Sequence, residues 1–127
     1  MLQPGLTGSA SLIVDESVSA KTIGSGTLDV LSTPIMIALM EKAAWTSIAN
    51  HLDTGCGSVG IEMNVKHSAP TPLGVSVTAT ATLSKVEGKQ LFFLVTAADA
   101  SGPIGEGTHT RFIIENEKFQ EKANRKQ

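Results

Sequence analysis

From residue 34 to residue 48 the chain reads P-I-M-I-A-L-M-E-K-A-A-W-T-S-I, apolar on nearly every side of a helical wheel and interrupted by one acid, Glu41. Ser32 and Thr33 precede Pro34, and a hydroxyl residue followed by proline at the first helical position is a strong helix start. The pattern predicts a helix to about Leu52, with Gly55 as its stop. A helix apolar all round belongs inside a domain or between two packed surfaces. Upstream, residues 9–14 read as a short strand. Residues 15–27 are mostly polar, carry two glycines and follow no period, so they read as a loop or lid.

Downstream the period changes to two. Ile61, Met63, Val65 and His67 alternate with polar residues, which places His67 on the apolar face of a strand. Val75, Val77, Ala79, Ala81 and Leu83 alternate with serine and threonine in a second strand. Glu87-Gly88 turns into a strand over 90–98, and Ser101-Gly102 turns into another over 104–114, so the sheet is expected to be largely antiparallel. Residues 116–127 are charged and read as a short helix or frayed tail.

One apolar helix followed by four or so antiparallel strands predicts an α+β layer with the sheet wrapped around the helix. Its 127 residues suit a single domain, 1–127. So small a sheet leaves part of an all-round apolar helix uncovered, and a second copy would cover it as a homodimer. Met36, Met40 and Trp45 are candidates for that shared surface, with plain core packing as the alternative.

Charge and cysteine content narrow the classes. Ten Lys and Arg against twelve Asp and Glu give a net charge of −2, which argues against a nucleic-acid partner. A lone Cys56 excludes an internal disulfide and fits a reducing, cytoplasmic setting. No metal-ligand spacing is visible, and no basic region followed by an apolar core marks the N-terminus. The longest apolar run is far short of a membrane span.

Several side chains compete for the chemistry. Glu41 is either an acid tuned by burial or, with Lys42, the solvated stripe of an ordinary amphipathic helix. Residues 55–60, G-C-G-S-V-G, match the G-x-G-x-x-G spacing, but a dinucleotide site needs a strand before the glycines and a helix after them, and here the order is reversed. Gly60 still allows a backbone amide to approach a ligand oxygen closely. Cys56 has nothing near it in sequence that would activate a thiolate. His51 suits the C-terminal end of the helix as a cation. His109 falls out of phase with Ile104, Phe112 and Ile114, and faces either solvent or a ligand groove. Thr33, Glu41 and His67 together offer the hydroxyl, carboxylate and imidazole used in acyl transfer. Thr33 alone reads as a helix cap. At the helical rise Thr33 and Glu41 stand about 12 Å apart, so a site completed across a dimer interface suits them better than direct contact.

Thr33, the segment 36–45 with its Leu39-Met40-Glu41, Gly57-Ser58-Val59-Gly60, His67 with Ala69-Pro70-Thr71-Pro72 and Gly74, Val86-Glu87-Gly88, and Ile104-Gly105-Glu106-Gly107-Thr108-His109 together resemble the hot-dog-fold thioesterases of the fluoroacetyl-CoA thioesterase type. The resemblance runs from about residue 33 to 119. It implies a hot-dog homodimer that hydrolyses a short-chain acyl-CoA at the subunit interface, with coenzyme A as part of the substrate and no separate cofactor. It also implies catalytic roles for Thr33, Glu41 and His67, a place for Gly60 near the thioester carbonyl, and one for Arg111 near the coenzyme A path. In that scheme His67 is the general base, Glu41 orients it, and Thr33 attacks or positions water.

In that family phenylalanines ahead of the catalytic threonine form an apolar lid, whereas no phenylalanine precedes Phe92 in this chain. A generic short acyl-CoA is therefore the expected substrate. A hot-dog enoyl-CoA hydratase or dehydratase and a non-catalytic acyl-CoA-binding module are the alternatives.

Overall fold

Alternating small apolar and hydroxyl residues after Gly74 can bury only one face of the strand they form. In the computed structural model, which describes residues 2–127 and leaves Met1 outside that range, this strand lies inside a five-stranded sheet. The strands are β1 (Thr7–Ile13), β2 (Cys56–His67), β3 (Ser76–Glu87), β4 (Gln90–Asp99) and β5 (Gly102–Glu115). Their order is β1-β3-β4-β5-β2, and every neighbouring pair is antiparallel. Three helices accompany them: α1 (Ala20–Ile23), α2 (Thr33–Ile48) and α3 (Asn116–Asn124).

The expected α+β arrangement is found, with the sheet wrapped around α2. Met36, Leu39, Met40, Ala43, Ala44 and Ile48 of the helix meet Val77, Ala79, Ala81, Leu83, Leu91, Phe93, Val95 and Ala97 of the sheet in one core. Met36 and Met40 are fully buried here, whereas Trp45 remains 44% exposed. Alanines on both sides of the contact, Ala43 and Ala44 on the helix and Ala79, Ala81 and Ala97 on the sheet, let the two layers approach closely. At Gly8 a Cβ would sit 2.5 Å from the Ala43 carbonyl oxygen, so only glycine lets β1 lie this near the helix backbone.

Several elements differ from the sequence reading. The α-helix ends at Ile48 and tightens into a 3-10 turn over Ala49–His51. Gly55, with φ of 84°, serves the turn between Asp53 and Cys56 rather than the helix end. Ser32 occupies the N-cap position, but its side chain makes no capping bond. Segment 15–27 is more ordered than a plain loop: it holds a 3-10 turn at Glu16–Val18 and the single turn α1, capped by Asp15 and Ser19. A bulge between Gly60 and Glu62 breaks the alternation of β2, and Ile61 turns out to 53% exposure.

Candidate active site

Thr33 is the first residue of α2 and His67 the last of β2. Their side chains meet, with Thr33 Oγ1 2.7 Å from His67 Nδ1. The pair borders a cleft of about 300 Å³ that Ala20, Val30, Leu31 and Pro70 also line. The other ring nitrogen, His67 Nε2, is buried and makes no hydrogen bond of good geometry. Burial pushes His67 below the ordinary imidazole range, with the backbone at Ala69 opposing, so the neutral ring is favoured.

Glu41 lies two turns further along α2 and does not contact His67 within the chain. Its Oε2 is 3.7 Å from Arg111 Nη1, and its side chain is 41% exposed. The sequence allowed a deeply buried acid, and the structure shows a half-buried one held against a buried cation. Arg111 is anchored by Ser58: Nε donates to Ser58 Oγ and Nη2 to the Ser58 carbonyl, each at 2.8 Å. Burial lowers the Arg111 value from its usual range, and the Glu41 charge opposes this.

Gly60 is the floor under the carboxylate. A Cβ there would sit 2.6 Å from Glu41 Oε2 and 3.0 Å from His109 Cε1. The absence of a side chain lets Glu41 rest on the β2 backbone. Glu41, Gly60, Glu62, Met63 and His109 border a second recess of about 250 Å³. Arg111 also borders an outer cleft of about 400 Å³ with Trp45, Leu52, Cys56 and Asn116.

His109 was left open by the sequence, and the structure buries it at 2% exposure. Its Nδ1 donates to the Glu62 carbonyl at 2.8 Å, and Arg111 Nη1 donates to its Nε2 at 3.1 Å. The signal in the sequence was the spacing of two between His109 and Arg111, which puts both on one face of a strand. Among the described residues no three His, Cys, Asp or Glu side chains gather as a metal site, and no helix is long and apolar enough to cross a membrane.

An antiparallel sheet curled around one long helix, with a hydroxyl and an imidazole paired where that helix begins, is the hot-dog fold of the thioesterase superfamily. The family model of FlK, the fluoroacetyl-CoA-specific thioesterase, matches residues 14–117. The fluoroacetyl-CoA thioesterase of Streptantibioticus cattleyicolor is 44% identical over 98 residues, which are 77% of this chain and 70% of that protein. A crystal structure of the fluoroacetyl-CoA thioesterase FlK superposes with a TM-score of 0.94 at 34% identity, covering 100% of this chain and 98% of that one. A variant of FlK in complex with acetyl-CoA gives a TM-score of 0.93 at 34% identity, covering 98% of each chain. The chain belongs to the fluoroacetyl-CoA-specific thioesterase family.

Proposed function

We propose that this protein is an acyl-CoA thioesterase that converts a short-chain acyl-CoA and water to a free acid and coenzyme A. The observation that carries the reading is the 2.7 Å contact of Thr33 Oγ1 with His67 Nδ1, beside a buried Nε2 that lacks a partner. A base needs one nitrogen free to take a proton and the other held by an acceptor. Here Nδ1 takes the Thr33 proton, and the Nε2 hydrogen awaits a carboxylate.

In this reading Glu41 supplies that carboxylate from a second copy of the chain. β2 lies at the edge of the sheet, and its outer backbone groups are open to another strand. Ile61 and Trp45 add exposed apolar area near that edge. Antiparallel pairing of two β2 strands about Met63 sets His67 of one copy across from Val59 of the other, one residue from the Gly60 on which Glu41 rests. The homodimer then completes each site, and the whole chain, 1–127, works as one domain.

His67 acts as general base, Glu41 orients it and stabilises its cation, and Thr33 attacks the thioester carbonyl or positions the water that does. A backbone amide near Gly60 faces the developing oxyanion. Arg111 and the outer cleft beside it accommodate the coenzyme A portion. The acyl cleft is walled by Ala20, Val30 and Leu31, with no phenylalanine, tyrosine or tryptophan among its lining residues, which favours a generic short acyl group over one selected for fluorine. No protein cofactor enters, and a cytoplasmic setting, where acyl-CoA is made, suits the lone thiol. Thr33 has a direct chemical task here that a hydratase would leave idle. Free-thiol release measured across acyl-CoA chain lengths tests the reading: release that peaks at short chains supports it, and none at any length overturns it.

A further inference from the structure

His109 is buried, titratable and without a part in that chemistry. Both of its nitrogens have partners of fixed polarity. The Glu62 carbonyl can only accept, so Nδ1 carries the hydrogen. The Arg111 guanidinium can only donate, so Nε2 presents its lone pair. The ring is therefore neutral and confined to one tautomer, with the Phe93 ring beside it at 6.1 Å between centroids. Four neighbours face it: Glu41 from α2, Glu62 from β2, Phe93 from β4 and Arg111 from its own strand. Burial is the main force holding His109 below the ordinary imidazole range; Arg111 adds to it, while the Glu62 backbone and Glu41 oppose.

Arg111 has its Nε and Nη2 tied to Ser58, which leaves Nη1 as the end shared by His109 and Glu41. Nη1 is 3.1 Å from His109 Nε2 and 3.7 Å from Glu41 Oε2. We infer that His109 is a positioning residue for thioester hydrolysis: its Nε2 lone pair fixes Arg111 Nη1, and Arg111 so held sets where the Glu41 carboxylate points. The inference rests on the thioesterase reading, because the aim of Glu41 matters through its part in turnover. A protonated ring would set N–H against N–H and release the guanidinium.

The test pairs kinetics of His109→Gln and His109→Leu with nitrogen-15 NMR of the histidine rings in the parental protein. Glutamine offers Arg111 an oxygen acceptor, and leucine offers none. One of the three histidines is expected in the Nδ1–H tautomer at neutral pH, and its signal should vanish in His109→Gln. In His109→Leu, kcat should fall roughly tenfold or more with KM held within about threefold, and His109→Gln should recover most of the loss. Parental kcat in His109→Leu overturns the inference and leaves the thioesterase reading standing. Equal losses in both variants, or an Nε2–H or protonated ring in the parental protein, also overturn it. No thiol release from the parental protein removes the thioesterase reading and this inference together. Should His109→Leu fail to fold, the tautomer and the His109→Gln kinetics decide.

Discussion

The Thr33 hydroxyl stands 2.7 Å from His67 Nδ1 although 34 residues separate the two in the chain. The contact gives the Thr33 hydroxyl a partner outside its helix, whereas the cap position of α2 belongs to Ser32, whose buried hydroxyl makes no bond. Thr33→Ala should therefore cut turnover roughly a hundredfold or more while costing less than about 1 kcal/mol of stability. Thr33→Ser, which keeps the hydroxyl, should retain most of the rate. Thiol-release kinetics beside thermal unfolding separate the two effects, and an alanine variant of parental rate would remove Thr33 from the chemistry.

Mixing two inactive variants tests whether the site is shared. If Glu41 of one copy serves His67 of the other, subunit exchange between Glu41→Ala and His67→Ala yields mixed dimers with one intact site. Half the dimers are mixed at equal proportions, so about one quarter of parental activity should return. Activity that stays at the level of the separate variants places each site within a single chain.

Gly60→Ala probes the carboxylate from below. The added methyl would meet Glu41 Oε2 at 2.6 Å, and the carboxylate is the end of a flexible side chain that can move away. Turnover should fall roughly tenfold or more while the unfolding free energy changes by about 1 kcal/mol. A variant as active as the parent shows that the resting place of Glu41 is immaterial.

Glu41→Gln and Glu41→Ala should differ in stability more than in rate. Both lose the charge that is proposed to support the imidazole. Glutamine leaves Arg111 an acceptor, whereas alanine leaves a buried guanidinium, its side chain 7% exposed, without its counter-charge. Denaturant midpoints should fall further for alanine, and equal midpoints for the two variants would show that an acceptor beside Arg111 adds nothing to folding.

Acidification should weaken the fold through two histidines. Burial holds both His67 and His109 below the 6.5 of an ordinary imidazole. In the window between the folded and unfolded values, the unfolded chain binds more protons, so stability rises with pH there. The contribution is complete above the unfolded value and is lost as pH falls through the folded ones. Thermal midpoints should decline as pH drops below 6.5, and His109→Gln should shallow the decline. A midpoint that rises as the pH falls through that window contradicts the burial of neutral rings.

The sequence carried much of this structure because β3 is regular: Val77, Ala79, Ala81 and Leu83 are all fully buried, as their spacing of two requires. The apolar stretch after Pro34 likewise gave α2 its start and its place at the centre. Ile61 was misread because a bulge has no signature in an alternating pattern and reverses the facing of the residue it inserts. Thr33 and His67 could be nominated from residue type, yet their contact depends on β2 ending beside the start of α2. The Arg111 anchor was beyond reach for the same reason: Ser58 is brought to it by the pairing of β2 with β5, and pairing is a property of the folded sheet. His109 was the nearest miss, since its spacing from Arg111 was in view and only its depth was hidden.

The alanine seam between α2 and the sheet separates two kinds of change. Enlarging Ala43, Ala44, Ala79 or Ala81 would lever the helix off the strands and carry Thr33 and Glu41 with it. Positions 21–29 are all exposed, and the tight one-turn α1 supports them from outside that seam. Of this stretch Ser25 borders the cleft beside Thr33 and His67, so a loop exchange there can reshape the cleft while helix and sheet keep their alignment, and selection can alter diet without rebuilding the engine.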